Sequence, residues 1–291
     1  MGEVIAEGVK KYVGPEPGPT VAVFAGVHGD ERAGIMAMDQ LSKSIEINCG
    51  VLYLVLANPP AVEQEKRYIA KNLNRCFGDK NQGTSYEDKR ANQLIQILSK
   101  CEALLDLHAF KNEQEPHVTA ENEQPKVVLE EAKPFVICES DSFDVAKIFD
   151  VEMISSGWTQ AEPGAADGYM HKQAKVGICL ECGPIKYAEK YKDFALKSVI
   201  QFLKYYEMVE SDIELSQTDK KHIQVKYAQK RISEHFVMDG WLRHMQKLDD
   251  GQLIAFDGNI QYRANKNDYI IFPDPSAKVG DEVFIIGGEI G

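Results

Sequence analysis

The sequence predicts an α/β protein whose sheet carries helices on both faces, followed by a smaller β-rich region. Three observations lead there. Short apolar, β-branched runs alternate with amphipathic helical patterns through roughly the first two thirds of the chain. The runs are apolar at most positions, as strands covered on both faces require. Past residue 210 the texture changes to short strand-like pieces punctuated by Gly, Asp and Asn.

Residues 20–26 (TVAVFAG) form the first buried strand, and residues 30–44 place Ile35, Met38 and Leu41 at helical spacing. A second strand, 51–56 (VLYLVL), is stopped by Asn58-Pro59-Pro60, which neither helix nor ladder accommodates well. Residues 63–85 are polar and aperiodic, a loop of the length that is often functional. A helix over 86–99 follows, with Ala91, Leu94, Ile95 and Leu98 on one face. Strands are expected at 103–107, 135–138 and 176–180, with a short helix at 144–149. The long helix 187–208 buries Phe194, Val199, Phe202, Leu203 and Tyr206. The β-rich region supplies pieces at 223–227, 253–256, 259–264, 269–272 and 283–286. The expected division is therefore an α/β domain over 1–210 and a β-rich domain over 211–291.

The chain has 291 residues, 33 basic and 45 acidic, for a net charge of −12. That balance argues against nucleic acid or an anionic membrane as partner, because both need a basic face. No apolar run approaches the ~20 residues of a membrane span, and the N-terminus lacks the basic start and apolar stretch of a signal peptide. The six cysteines are scattered through apolar stretches and read as reduced thiols, so the expected location is cytoplasmic.

The clearest local signal is GVHGDE at 26–31, directly after the first buried strand. His28 and Glu31 are three apart at a strand-to-helix turn, at the sheet edge where open α/β proteins place their sites. His108 closes a second apolar strand, with Asp106 two residues before it. A single histidine in such a place is unremarkable chemically, but two imidazoles and one carboxylate make the three-ligand set of a catalytic zinc. Asp106 would orient a ligand imidazole. Arg67, Asn74 and Arg75 lie in the long loop, where arginines can hold a carboxylate or stabilise an oxyanion. Glu181 ends the 176–180 strand just before Gly183-Pro184, and a carboxylate so placed is the candidate general base. Cys179 and Cys182 flank it and read as structural. His117, His171, His222, His235 and His244 lack ligand-like spacing and are expected at the surface, His171 being of interest because it precedes the Glu181 strand.

In this order, GVHGDE (26–31), RYIAKNLNRCF (67–77), DLH (106–108) and the 176–184 segment resemble the succinylglutamate desuccinylase/aspartoacylase family, a branch of the zinc carboxypeptidase superfamily. The resemblance implies a zinc-carboxypeptidase-like mixed sheet flanked by helices, with a smaller C-terminal β domain that helps to wall the cleft. It implies one zinc per chain held by His28, Glu31 and His108, with Glu181 activating water and Arg67 stabilising the oxyanion. Asn74 and Arg75 would grip a substrate carboxylate, and a tyrosine of the β domain, Tyr269 or Tyr262, would complete the site. The reaction implied is hydrolysis of the amide of a small N-acylated amino acid or related carboxylate. Asn72 stands where the family usually has aspartate, Ala109 follows the second histidine where threonine is typical, and 168–172 lacks the arginine that aspartoacylases carry near there. These departures leave the zinc chemistry intact and bear on substrate choice. The alternatives are a carboxypeptidase acting on a peptide or peptidoglycan fragment, and a non-catalytic binding protein of the same fold.

Overall fold

A computed structural model describes residues 2–78, 82–111, 133–240 and 242–290. The chain divides into two units, one of Met1–Phe110 with Pro134–Lys221 and one that includes His222–Gly291.

In chain order the first unit contains β1 (Glu3–Ala6), β2 (Val9–Val13), β3 (Glu16–Ala25), α1 (Arg32–Ser42), β4 (Cys49–Leu56), α2 (Pro59–Glu63), α3 (Tyr86–Leu98), β5 (Ala103–Phe110), β6 (Phe135–Cys138), α4 (Phe143–Ala146), β7 (Met153–Ser156), α5 (Trp158–Ala161), α6 (Ala166–Lys172), β8 (Val176–Pro184) and α7 (Ala188–Tyr205). Its strands run in the order β1-β2-β4-β3-β5-β8-β6-β7. The sheet is mixed: β4, β3, β5 and β8 are mutually parallel, while β2 joins β4, and β6 joins β8, antiparallel.

Side chains alternate across a strand, so each central strand feeds two cores. Val21, Val23 and Ala25 of β3 pack on one side with Ala37 and Leu41 of α1 and Val199, Phe202 and Leu203 of α7. Ala22 and Phe24 pack on the other with Leu94 and Leu98 of α3 and Tyr169 and Met170 of α6. Helices thus cover both faces, as the uninterrupted apolar runs require. Each large side chain so buried contributes about 1.5–3 kcal/mol, which exceeds what helix caps supply. Helix α1 illustrates the order of importance: its N-cap residue, Glu31, makes no capping hydrogen bond.

Asn58-Pro59-Pro60 corrects an expectation. The segment starts α2, with the Asn58 side chain accepting from the Ala61 N–H and proline in the first helical positions. Those positions need no N–H partner, so proline is at home there. The outermost strands β1 and β2, and the short elements β7, α5 and α6, carry too little periodicity to be read in advance. The expected helix at 144–149 is shorter and begins one residue earlier, as α4, and that at 187–208 is trimmed to α7.

The second unit contains β9 (Lys221–Lys230), β10 (Phe236–Met238), β11 (Gln246–Lys247), β12 (Leu253–Asp257), β13 (Ile260–Arg263), β14 (Asp268–Ile271) and β15 (Glu282–Ile290). Strands β9, β15, β14 and β11 are neighbours in one antiparallel set, and β10, β12 and β13 form another. Its core includes Ile254, Ile270, Val283, Phe284 and Ile286. The expected boundary at 210 lies in the connection between α7 and β9. Among the described residues no helix is long and apolar enough to cross a membrane.

Candidate metal centre

The parallel strands β3, β5 and β8 end at one edge of the sheet, and that edge carries the candidate residues. His108 of β5 and Glu181 of β8 are register partners. Phe24, Asp106 and Cys179 occupy the row one step below them, on the same face. The turn from β3 into α1 brings His28 and Glu31 to this edge. Gly29, between them, packs against the α2 backbone so closely that any Cβ would collide with the Ala61 carbonyl group.

Glu31 is the hub. Its Oε1 lies 2.7 Å from His28 Nδ1, and its Oε2 lies 3.0 Å from His108 Nδ1 and accepts the Ala109 N–H at 2.9 Å. The far nitrogen of each imidazole is held from behind: His28 Nε2 lies 2.9 Å from Asn72 Oδ1, and His108 Nε2 lies 3.0 Å from Asp106 Oδ2. Outward acceptors fix each ring so that its Nδ1 faces the centre, the arrangement of metal-binding histidines. His28, Glu31 and His108 are buried, and one ligand atom from each falls within 4.8 Å of the others. Three such donors, two imidazole nitrogens and one carboxylate, fit a metal ion that keeps an open position.

The electrostatics follow from crowding charge into a dry space. Burial works to raise the Glu31 carboxyl, but the two imidazoles outweigh it and hold it well below the carboxylate range. Burial, with Arg67 and His108 beside it, lowers His28, whereas Asp106 and Glu31 overcome burial and hold His108 well above its ordinary value. Glu181 is pushed up to about 8 by burial, with Glu31 and Asp106 adding to the effect. Its Oε2 is buried with no hydrogen-bond partner among the described residues. A carboxyl group in that condition is costly as structure and available as a proton carrier.

The long loop is anchored rather than loose. Buried Glu87 of α3 accepts from the Ile69 and Ala70 N–H groups and from Asn58, while Ser85 and Asp88 form a capping box on α3. So held, the loop delivers Arg67 to Glu31 Oε1 at 3.1 Å. Asn72 Oδ1 also accepts the Asn74 N–H at 2.9 Å and so opens the 3-10 turn Leu73–Arg75. Asn74 Oδ1 accepts from the first N–H of α6, and Arg75 is ion-paired with Glu162.

The structure therefore gathers His28, Glu31, His108, Glu181, Arg67 and Asp106 about one edge, with Asn74 and Arg75 on the adjoining turn. Tyr269 and Tyr262 lie in the second unit, where the Tyr269 hydroxyl donates to Glu289 and the Tyr262 hydroxyl accepts from Gln229. His171 pairs with Asp141 at 2.6 Å and is no member of the metal group. His244 corrects the surface expectation: it is buried, stacked on Phe272, and its Nδ1 accepts the Phe272 N–H. His222 is half-buried, His235 is exposed, and His117 lies outside the described residues. None of the six cysteines is joined in a disulfide. Residue spacing missed Asn58, Glu87 and the supporting role of Asn72, although asparagine before Pro-Pro is itself a helix-start signal.

Residues 17–206 match the succinylglutamate desuccinylase/aspartoacylase catalytic domain. The chain belongs to this family. A protein named "Probable aspartoacylase" from Nostoc sp. is 37% identical over 101 residues, 31% of this chain and 34% of that protein. Succinylglutamate desuccinylase of Yersinia pseudotuberculosis is 39% identical over 83 residues, 26% of this chain. These matched segments span about a third and 25% of the two relatives' own lengths. Among solved structures, succinylglutamate desuccinylase of Vibrio cholerae superposes with a TM-score of 0.78 at 17% identity, over 100% of this chain and 88% of that one. A product-bound ectoine utilization protein EutE (DoeB) from Ruegeria pomeroyi gives 0.72 at 20% identity, over 96% and 88%. These likenesses bear on the fold.

Proposed function

We propose that the chain is a zinc-dependent hydrolase that cleaves the amide bond of a small N-acylated amino acid or related carboxylate. The observation that carries this is the inward aim of His28 Nδ1 and His108 Nδ1 at one carboxylate, with both outward nitrogens already held. Family membership supports a deacylase reading, and the names of the relatives agree with it. In this proposal residues 1–210 form the catalytic domain and 211–291 a β-rich domain.

His28, Glu31 and His108 would hold the zinc, which when bound would supply Lewis acidity and ease deprotonation of water near neutral pH. Glu181 takes the proton from the attacking water and returns it to the leaving amine, a task suited to a carboxyl raised by burial. The Arg67 guanidinium, tethered through Glu31, holds positive charge where the carbonyl oxygen becomes negative. Asn74 and Arg75 hold the substrate carboxylate, which fixes the distance from that carboxylate to the scissile bond. In this proposal a tyrosine of the β-rich region, Tyr269 or Tyr262, completes the site.

The test is a turnover screen of zinc-supplied protein over N-acyl amino acids, with short peptides as the comparison set. Hydrolysis confined to the acyl amino acids agrees with the proposal; preference for peptides would favour the carboxypeptidase reading, and no turnover of either the binding-protein reading.

A further inference from the structure

The cations of the 67–75 loop each carry an acid partner. Arg67 contacts Glu31, Lys71 contacts Asp88 at 2.7 Å, and Arg75 is paired with Glu162. A substrate with two carboxylates would have to break two such pairs. It would also approach a chain of net charge −12, whose field repels a polyanion. The exception in usefulness is the Arg75–Glu162 pair, because both members are about one-third exposed or less and adjoin the metal edge through Asn72 and Asn74.

That pair is built by backbone contacts. Arg75 is steadied by its own NH1 donating to the Asn74 carbonyl at 2.8 Å. The turn after Glu162 lies directly on it: the Gly164 carbonyl accepts the Phe77 N–H at 2.9 Å, and a Cβ at Gly164 would come within 2.7 Å of the Arg75 backbone. With φ of +96°, Gly164 also holds a conformation open mainly to glycine. Two opposite charges therefore stand side by side next to the turn proposed to hold a substrate carboxylate.

We infer that Arg75 and Glu162 together receive a free α-amino-carboxylate head, Arg75 taking the carboxylate and Glu162 the ammonium. The inference rests on the proposed hydrolysis and specifies its substrate as an Nω-acylated diamino acid. A neighbouring cation and anion match the neighbouring ammonium and carboxylate of such a head, so both protein charges stay paired when the ligand enters. The head is electrically neutral and meets no net repulsion from the acidic chain. Water adds across the side-chain amide: the acyl carbon gains the C–O bond, the C–N bond breaks, and the amine leaves with the proton. The products are a carboxylic acid and the free diamino acid.

Calorimetry of zinc-supplied protein tests the head directly, using L-ornithine and 5-aminopentanoate, which lacks only the α-amine. The wild type is expected to bind ornithine at least about tenfold more tightly, as a charge-assisted hydrogen bond implies. In Glu162→Gln the ratio falls to about one, and in Glu162→Asp a preference survives. Equal wild-type affinities, no binding of either compound, or a Glu162→Gln variant that weakens both equally would overturn the inference. The same comparison in turnover uses Nδ-acetylornithine and 5-acetamidopentanoate. An ornithine preference in binding with no hydrolysis of any acyl compound supports the head assignment and overturns the hydrolase reading instead.

Discussion

His28 Nε2 lies 2.9 Å from Asn72 Oδ1, and the same oxygen accepts the Asn74 N–H at 2.9 Å. One side-chain atom therefore ties a candidate metal ligand to the turn that carries Arg75. Replacing Asn72 with alanine removes the acceptor that fixes the His28 ring. Zinc affinity, measured by competition with a chelator, is expected to fall by about 10–100-fold. An unchanged affinity would mean that the ring is oriented by something else.

Glu181→Gln preserves shape and removes the proposed proton carrier. Turnover is expected to drop by at least about 100-fold, while zinc content stays at the wild-type level because Glu181 is outside the ligand group. Activity near wild type in this variant would transfer the proton-carrying role to another group.

Gly29→Ala acts through the backbone. The added Cβ meets the Ala61 carbonyl group, so the 28–31 turn must shift away from α2 and carry His28 and Glu31 with it. Reduced zinc retention and a lower melting temperature are expected together. A variant that keeps both would show that the turn has room to spare.

His244 sets an acid limit on stability. Burial lowers it from about 6.5 to about 3 in the folded protein. Above pH 6.5 it is neutral in both states; between 6.5 and 3 the unfolded chain takes a proton that the folded chain refuses. Its stabilising contribution is therefore present above the unfolded value and lost as pH falls, by about 1.4 kcal/mol per pH unit. His244→Leu should flatten this limb in denaturation measured from pH 7 to pH 4, whatever its effect at neutral pH. An identical slope in the two proteins would remove His244 from the explanation.

The sheet was legible wherever burial on both faces leaves no polar positions, as in Val21–Ala25 and Ala103–Leu105. It was illegible at β1, whose four residues are all exposed, because an edge strand needs no apolar pattern. His28, Glu31 and His108 could be picked out because each sits where an apolar run ends. The supports could not: Glu87 is a buried acid on a helix whose pattern gives no hint of it, and its partners are the Asn58 side chain and the Ile69 and Ala70 backbone of other segments. The Glu162 pairing was equally hidden, since it brings together residues far apart in sequence.

His28, Glu31 and His108 are proposed to hold a catalytic zinc. Elemental analysis of purified protein, after zinc is supplied and excess removed, tests it most directly, with His108→Ala alongside. About one zinc per chain is expected in the wild type, with a marked loss in the variant. A folded wild-type protein that retains no zinc, or a variant that retains as much as the wild type, would contradict it.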